Sequence, residues 1–225
     1  MKALNKKALG GLLRLFISVA VLLFLPAWAL DYWQAWIFLS VYILSVLAIT
    51  IYLMKTDPKL LERRINAKPG SEKRRNQKIL NFLVSKYLIV ATVIPAIDHR
   101  CAWSAVPLYV VAAGNVLVAI GFLIVFFVFK ENTFASAIIE VGIGQKVIAT
   151  GPYALVRHPM YIGWLVTFLG VPVALGSWWG LFTIIPITLV IVCRLLDEET
   201  FLAKELPGYS EYRNTVRYHL LPFIW

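Results

Sequence analysis

The stretch PMYIGWLVTFLGVPVALGSWWGLFTIIPITLVIVC, residues 159–193, runs for 35 residues without a charge. A bilayer-crossing helix needs roughly 20 mainly apolar residues, about 30 Å of hydrocarbon. At about 1.5 Å per residue the run reaches ~52 Å, too much for one crossing and too little for two. Gly176-Ser177 interrupts it. The spacing predicts two helices joined by a tight turn, a hairpin that is short, tilted or incompletely crossing.

Outward from this hairpin lie four more apolar runs, about 8–30, 33–54, 79–97 and 104–129. The fold expected is all-α and integral to the membrane, with about six apolar helical segments. Composition agrees: the 225 residues are 60% hydrophobic, 14% aromatic and only 15% charged, outside the range of soluble domains. The start MKALNKKALGGLLRLFISVAVLLFLPAWAL has the basic beginning of a secretory signal, but its apolar run is too long and meets no small-residue cleavage site. It reads as a retained first helix. Cys101 and Cys193 have no metal-type spacing and make no disulfide framework.

The net charge of +10 sorts by loop. Lys2, Lys6 and Lys7 precede the first helix, nine Lys/Arg lie from Lys55 to Lys78, Lys130, Lys146 and Arg157 precede the hairpin, and Arg194, Lys204, Arg213 and Arg217 follow it. The opposite side carries Arg100. By the positive-inside rule both termini and both large loops face the cytoplasm, of the inner membrane in a bacterium. This placement favours membrane orientation over nucleic-acid binding. The loop KTDPKLLERRINAKPGSEKRRNQK (55–78) reads as an orientation signal resting on anionic headgroups, with substrate recruitment as its other reading.

Two polar clusters sit where the hairpin meets the cytoplasm. In TGPYALVRHPMYIG (150–163), Arg157 and His158 precede Pro159, which favours the first turn of a helix. Interfacial anchoring by arginine and by Tyr153 and Tyr161 is the plain reading. The second cluster is Arg194-Leu-Leu-Asp197-Glu198-Glu199, acids that oppose the helix dipole at the membrane edge. They are either a solvated helix continuation or a site. Because the hairpin joins the clusters, they should meet in one interfacial cavity, suited to a zwitterionic soluble ligand beside a lipid-bound one. Lys86 reads as snorkelling, His99 and His219 lack partners at ligand spacing, and with three histidines a metal site is not expected.

GQKVIATGPYALVRHPMYIGW (144–164), the hairpin and RLLDEETFLAKELPGYSEYRNTVRYHLLPFIW (194–225) together resemble the C-terminal half of the isoprenylcysteine carboxyl methyltransferase family, whose relatives methylate phospholipid amines and small thiols. The resemblance covers residues 130–225, and the first four helices match only in kind. It implies a four-helix region, 1–129, and a catalytic region, 130–225, with a cytoplasmic pocket for S-adenosyl-L-methionine. Gln145, Lys146, Val147, Gly151, Tyr153, His158, Tyr161, Glu198 and Glu199 would hold the donor, and Arg157 and Arg194 a lipophilic methyl acceptor. His158 is the side chain nearby whose unperturbed pKa suits a base. Where eukaryotic members have a histidine, this chain has Gln145, which cannot titrate. The expected reaction is methylation of an isoprenylcysteine-like carboxylate, with a phospholipid amine or a small thiol as alternative acceptors. A transporter or scaffold is the reading of a different class. A transporter would place ionisable groups at midplane, whereas here they gather at one face.

Overall fold

The uncharged run folds as two helices that meet at Gly176, whose φ of +73° suits a residue without a Cβ. The computed structural model describes residues 2–66, 74–136, 138–139, 141–142 and 144–225. These form eight α-helices and no strand: α1 (Lys2–Ala27), α2 (Trp33–Thr56), α3 (Pro58–Asn66), α4 (Arg75–Cys101), α5 (Leu108–Glu131), α6 (Pro159–Ala174), α7 (Ile184–Glu205) and α8 (Tyr209–Thr215). Short 3₁₀ turns at Gly151–Ala154 and Trp179–Thr183 precede α6 and α7. Residues 67–73 of the basic loop, with Lys68 and Lys73, lie outside the described residues.

Helices α1, α2, α4, α5 and the segment Trp179–Glu205 are long and apolar enough to cross a membrane. Helix α6 has 16 residues, about 24 Å, short of a full crossing, as the length of the run required. Their outward faces carry exposed Leu13, Leu25, Leu44, Ile185 and Leu189, where a soluble bundle would carry charge. The expected apolar segments are all present, but their ends reach further. Helix α1 begins at Lys2 and α4 at Arg75, since lysine and arginine at a helix end extend their charge to water. Helix α7 continues through Asp197-Glu198-Glu199 to Glu205.

Glycines bring α5 and α6 into backbone contact. A Cβ on Gly121 would lie 2.6 Å from the Gly163 carbonyl oxygen, and one on Gly170 would lie 2.7 Å from that of Gly114. Gly114 and Gly121 on α5 thus meet Gly163 and Gly170 on α6, a seven-residue spacing on both helices that suits packing without a hydrophobic driving force. The expected 129/130 boundary falls near the end of α5, so this closest helix pair lies across it. At the hairpin turn, the buried Asp98 carboxylate accepts hydrogen bonds from the Ser104 amide (2.8 Å), the Ser104 hydroxyl (2.7 Å) and the Ser177 hydroxyl. Tyr32 donates to the Leu175 carbonyl and stacks on His99. These contacts fasten the turn between α6 and α7 to α4 and to the start of α2.

Gly121→Ala should lower the melting temperature of detergent-purified protein by several degrees. Overpacking of this kind costs about 1–3 kcal/mol, and in a chain this size each kcal/mol shifts Tm by about 2–4 °C. Gly10→Ala, whose Cβ meets nothing within 4 Å, should leave Tm unchanged or raise it. Equal melting of the two variants would show that the α5–α6 contact is looser than drawn.

Candidate active site

Pro159 opens α6 at its first position, and His158 caps it. The amides of the two residues before the helix donate to the returning tail, Arg157 to Tyr218 O (2.9 Å) and His158 to His219 O (3.1 Å). The Arg157 side chain is buried. Its Nε and Nη2 grip Glu199 at 2.6 and 3.3 Å, and its Nη1 donates to the Val216 and Arg217 carbonyls at 2.9 Å. His158 Nε2 lies 2.9 Å from Glu199 Oε1, His219 Nε2 3.2 Å from Oε2, and Arg213 Nε 3.8 Å from Oε2. Glu199, only 4% exposed, therefore joins α7, the start of α6 and the C-terminal tail. An ionised carboxylate only accepts, so it fixes the His158 proton on Nε2 and leaves Nδ1 as the ring's acceptor.

One residue earlier, Glu198 turns elsewhere, since successive helical side chains point about 100° apart. It is half-buried and accepts the Tyr161 hydroxyl at 2.6 Å. Behind it, α7 is pinned to the start of α4. Arg194 Nη1 donates to Gln77 Oε1 at 3.0 Å, and the fully buried Gln77 amide donates to Asp197, which also pairs with Arg74. On the other flank, Asn132 donates to the Tyr153 hydroxyl at 2.9 Å, and the Tyr212 hydroxyl donates to the Tyr153 carbonyl at 2.8 Å. Burial pushes the Tyr153 phenol up to about 12, the Asn132 hydrogen bond opposing it, and raises Tyr209 and Tyr212 as well. All three are donors at neutral pH.

These elements enclose a cavity of about 420 Å³, within the roughly 300–1,000 Å³ of small-molecule sites. Of the residues marked by sequence, Gln145, Lys146, Val147, Tyr153, Arg157, His158, Tyr161, Arg194 and Glu198 line it, and Gly151 and Glu199 do not. Gly151 takes a φ of +57° beside the Glu131 side chain, which leaves little room for a Cβ. Glu199 contacts Arg157 and His158, which line the cavity. Arg157, read as facing the acceptor, spends its donors on Glu199 and the tail. Lys86 is exposed, lies over the Phe82 ring and is not in the cavity wall. His219, left without a role by sequence, belongs to the Glu199 cluster. The sequence also gave no sign of Gln77, Asn132 or Tyr209. The Tyr209 hydroxyl is buried beside the cavity with no hydrogen-bond partner among the described residues. The opposite wall is apolar, with Tyr42, Leu88, Trp164, Phe168 and Val171.

Residues 109–207, from α5 to the end of α7, match the family model described as phospholipid methyltransferase. That stretch is just under half of the chain and overlaps the segment whose motifs resemble the integral-membrane methyltransferases. No curated protein matches the chain significantly.

Glu199→Gln should be strongly destabilising. Removing one partner of a buried pair costs about 3–5 kcal/mol, so Tm should fall by on the order of 10 °C. Glu198→Gln should melt close to wild type, because an amide oxygen still accepts the Tyr161 proton. The reverse order in a thermal melt would put the structural carboxylate at the wrong position.

Proposed function

We propose that the protein uses S-adenosyl-L-methionine to methylate a lipophilic acceptor within this cavity. A single observation carries the reading: one cavity joins a wall of polar and charged side chains, supplied by α6, α7, the 145–153 segment and the tail, to an apolar wall from α2, α4 and α6. The residues fit the donor. The Glu198 carboxylate suits an ammonium or ribose hydroxyls. The unpartnered Tyr209 hydroxyl lacks only an acceptor. Gln145, whose Oε1 takes the Gly142 amide at 2.8 Å, keeps its NH₂ for a ligand. The group supplies an electrophilic methyl on a sulfonium, and its transfer by in-line displacement rests on positioning and exclusion of water.

The first choice of acceptor is a carboxylate on a lipophilic chain, as in a prenylcysteine. Such a group is ionised at pH 7 and needs no base. It needs a cation to place it, and Arg194, held by Gln77, lines the cavity. A phospholipid amine is the second reading, favoured by the description of the matched family. That acceptor must lose a proton, and His158 Nδ1 is the free ring nitrogen. The basic end of the bundle faces the cytoplasm in this proposal, by loop charge alone. A transporter is less favoured, since Lys86 deep in α4 stays outside the cavity.

Membranes incubated with methyl-labelled donor should carry label that base releases as methanol. Label stable to base and bound to nitrogen moves the assignment to the amine. Tyr209→Phe should leave Tm unchanged or higher, because it removes an unsatisfied buried hydroxyl, yet weaken donor binding by about 5-fold to 10-fold. Unchanged donor affinity in calorimetry would take Tyr209 out of the donor wall.

A further inference from the structure

Helix α3 is short and two-faced. Leu60 and Leu61 are buried against α2 and α5, Asp57 accepts the Leu60 amide at 2.9 Å, and Lys7 of α1 donates to Asn66 at 2.7 Å. Two adjacent arginines reach from it to the segment after α5. Arg63 donates to the Thr133 carbonyl at 3.1 Å and lies over the Phe134 ring, outside the cavity wall. Arg64 donates to the Ala135 carbonyl at 3.0 Å, packs over Phe129 at 4.4 Å, and lines the cavity.

A guanidinium carries five N–H donors and keeps its charge. Burial lowers Arg64 only to about 10, so it is cationic at neutral pH. Among the described residues its partners are one carbonyl and one ring, and no described carboxylate lies within ion-pair distance. Arg157, buried on the other side of the site, has Glu199. A charge held in a cavity without a counter-charge is costly unless an occupant brings one.

Phe129 and Ala135 pack with Met160, Trp164 and Tyr153, whereas Tyr209 and Tyr212 pack with Leu206, Val147 and Leu202 in a separate cluster. Of the groups given to the donor above, Tyr209 belongs to the second cluster, Tyr153 to the first, and Glu198 and Gln145 to neither. Trp164, in the cluster on which Arg64 packs, is among the apolar cavity residues that suit a lipophilic chain. We propose that Arg64 receives a singly charged oxyanion, a carboxylate or a phosphodiester, carried by the lipophilic methyl acceptor. Calling that occupant the acceptor rests on the methyltransferase reading; the anion site itself does not. Arg64 lies outside the stretch that matches the family model.

The test uses purified full-length protein in neutral maltoside micelles and three probes: hexadecanoate, methyl hexadecyl phosphate and the uncharged methyl hexadecanoate, with binding read by tryptophan fluorescence. Wild type should prefer at least one anion over the ester by about 10-fold or more, the scale of a charge-assisted hydrogen bond. Arg64→Gln should abolish that preference with ester affinity unchanged. Arg64→Lys should keep part of it, and Arg63→Gln all of it. Loss for hexadecanoate alone or for the phosphodiester alone supports the site and names its oxyanion. No anion preference in wild type, a result that needs no variant to fold, overturns the proposal. Equal loss of ester and anion binding in Arg64→Gln overturns it too. Calorimetry with S-adenosyl-L-methionine on the same samples separates the two readings. Loss of donor affinity in Arg64→Gln would assign the guanidinium to the donor's carboxylate and overturn the acceptor role. Failure of wild type to bind the donor would sink the methyltransferase reading while the anion preference stayed measurable.

Discussion

The Glu199 carboxylate is the contact on which the site depends. Both oxygens are occupied: Oε1 by Arg157 Nε and His158 Nε2, Oε2 by Arg157 Nη2 and His219 Nε2. Removing such a group from water is costly, and the cost is offset only when geometry and hydrogen bonds are nearly complete, as they are here. The arrangement has a structural consequence. The carboxylate ties both the start of α6 and the tail to α7. It also orients His158 without itself touching the cavity, the way an outer carboxylate orients a working imidazole.

The membrane part rests on a different constraint. Lipid offers helices no hydrophobic reason to associate, so close approach must come from small residues and dispersion. The Gly114, Gly121, Gly163 and Gly170 set supplies it between α5 and α6. Because α6 is too short to cross, its C-terminal end must be held by protein, and Asp98 with Ser177 and Ser104 does this at the turn. The N-terminal end of α6, which Arg157 and His158 precede, is thereby set in depth by contacts at the far end of the helix.

Much of the fold was legible because uncharged runs have few alternatives: the four long segments and the short hairpin follow from length and hydropathy alone. Helices α3 and α8 were not, being of nine and seven residues, and held by packing more than by pattern. In the site, the meeting of the Arg-His and Glu-Glu clusters was legible from charges placed at the two ends of one hairpin. Their division of labour was not, because Glu198 and Glu199 are alike in sequence and differ only by a turn of about 100° on the helix. Gln77, 117 residues from Arg194, and Asn132, 21 from Tyr153, have partners that no local pattern reveals.

The cavity divides along the same line. Under the proposed reading, the polar wall for the donor comes largely from α6, α7 and the segment between α5 and α6, within the stretch that carries the family pattern, with Tyr209 and Tyr212 added by the tail. The apolar wall combines Trp164, Phe168 and Val171 of α6, inside that stretch, with residues that precede it: Tyr42 of α2, Arg64 of α3, and Asn81, Val84, Ser85 and Leu88 of α4. A shared donor constrains the first wall to one chemistry, whereas the second is shaped by whatever the acceptor presents. A match confined to residues 109–207 therefore speaks for methyl transfer and says little about its target. On the proposed reading the acceptor is met in part by α2 to α4, where the cavity sets a cation, Arg64, and two small polar side chains, Asn81 and Ser85, among apolar neighbours.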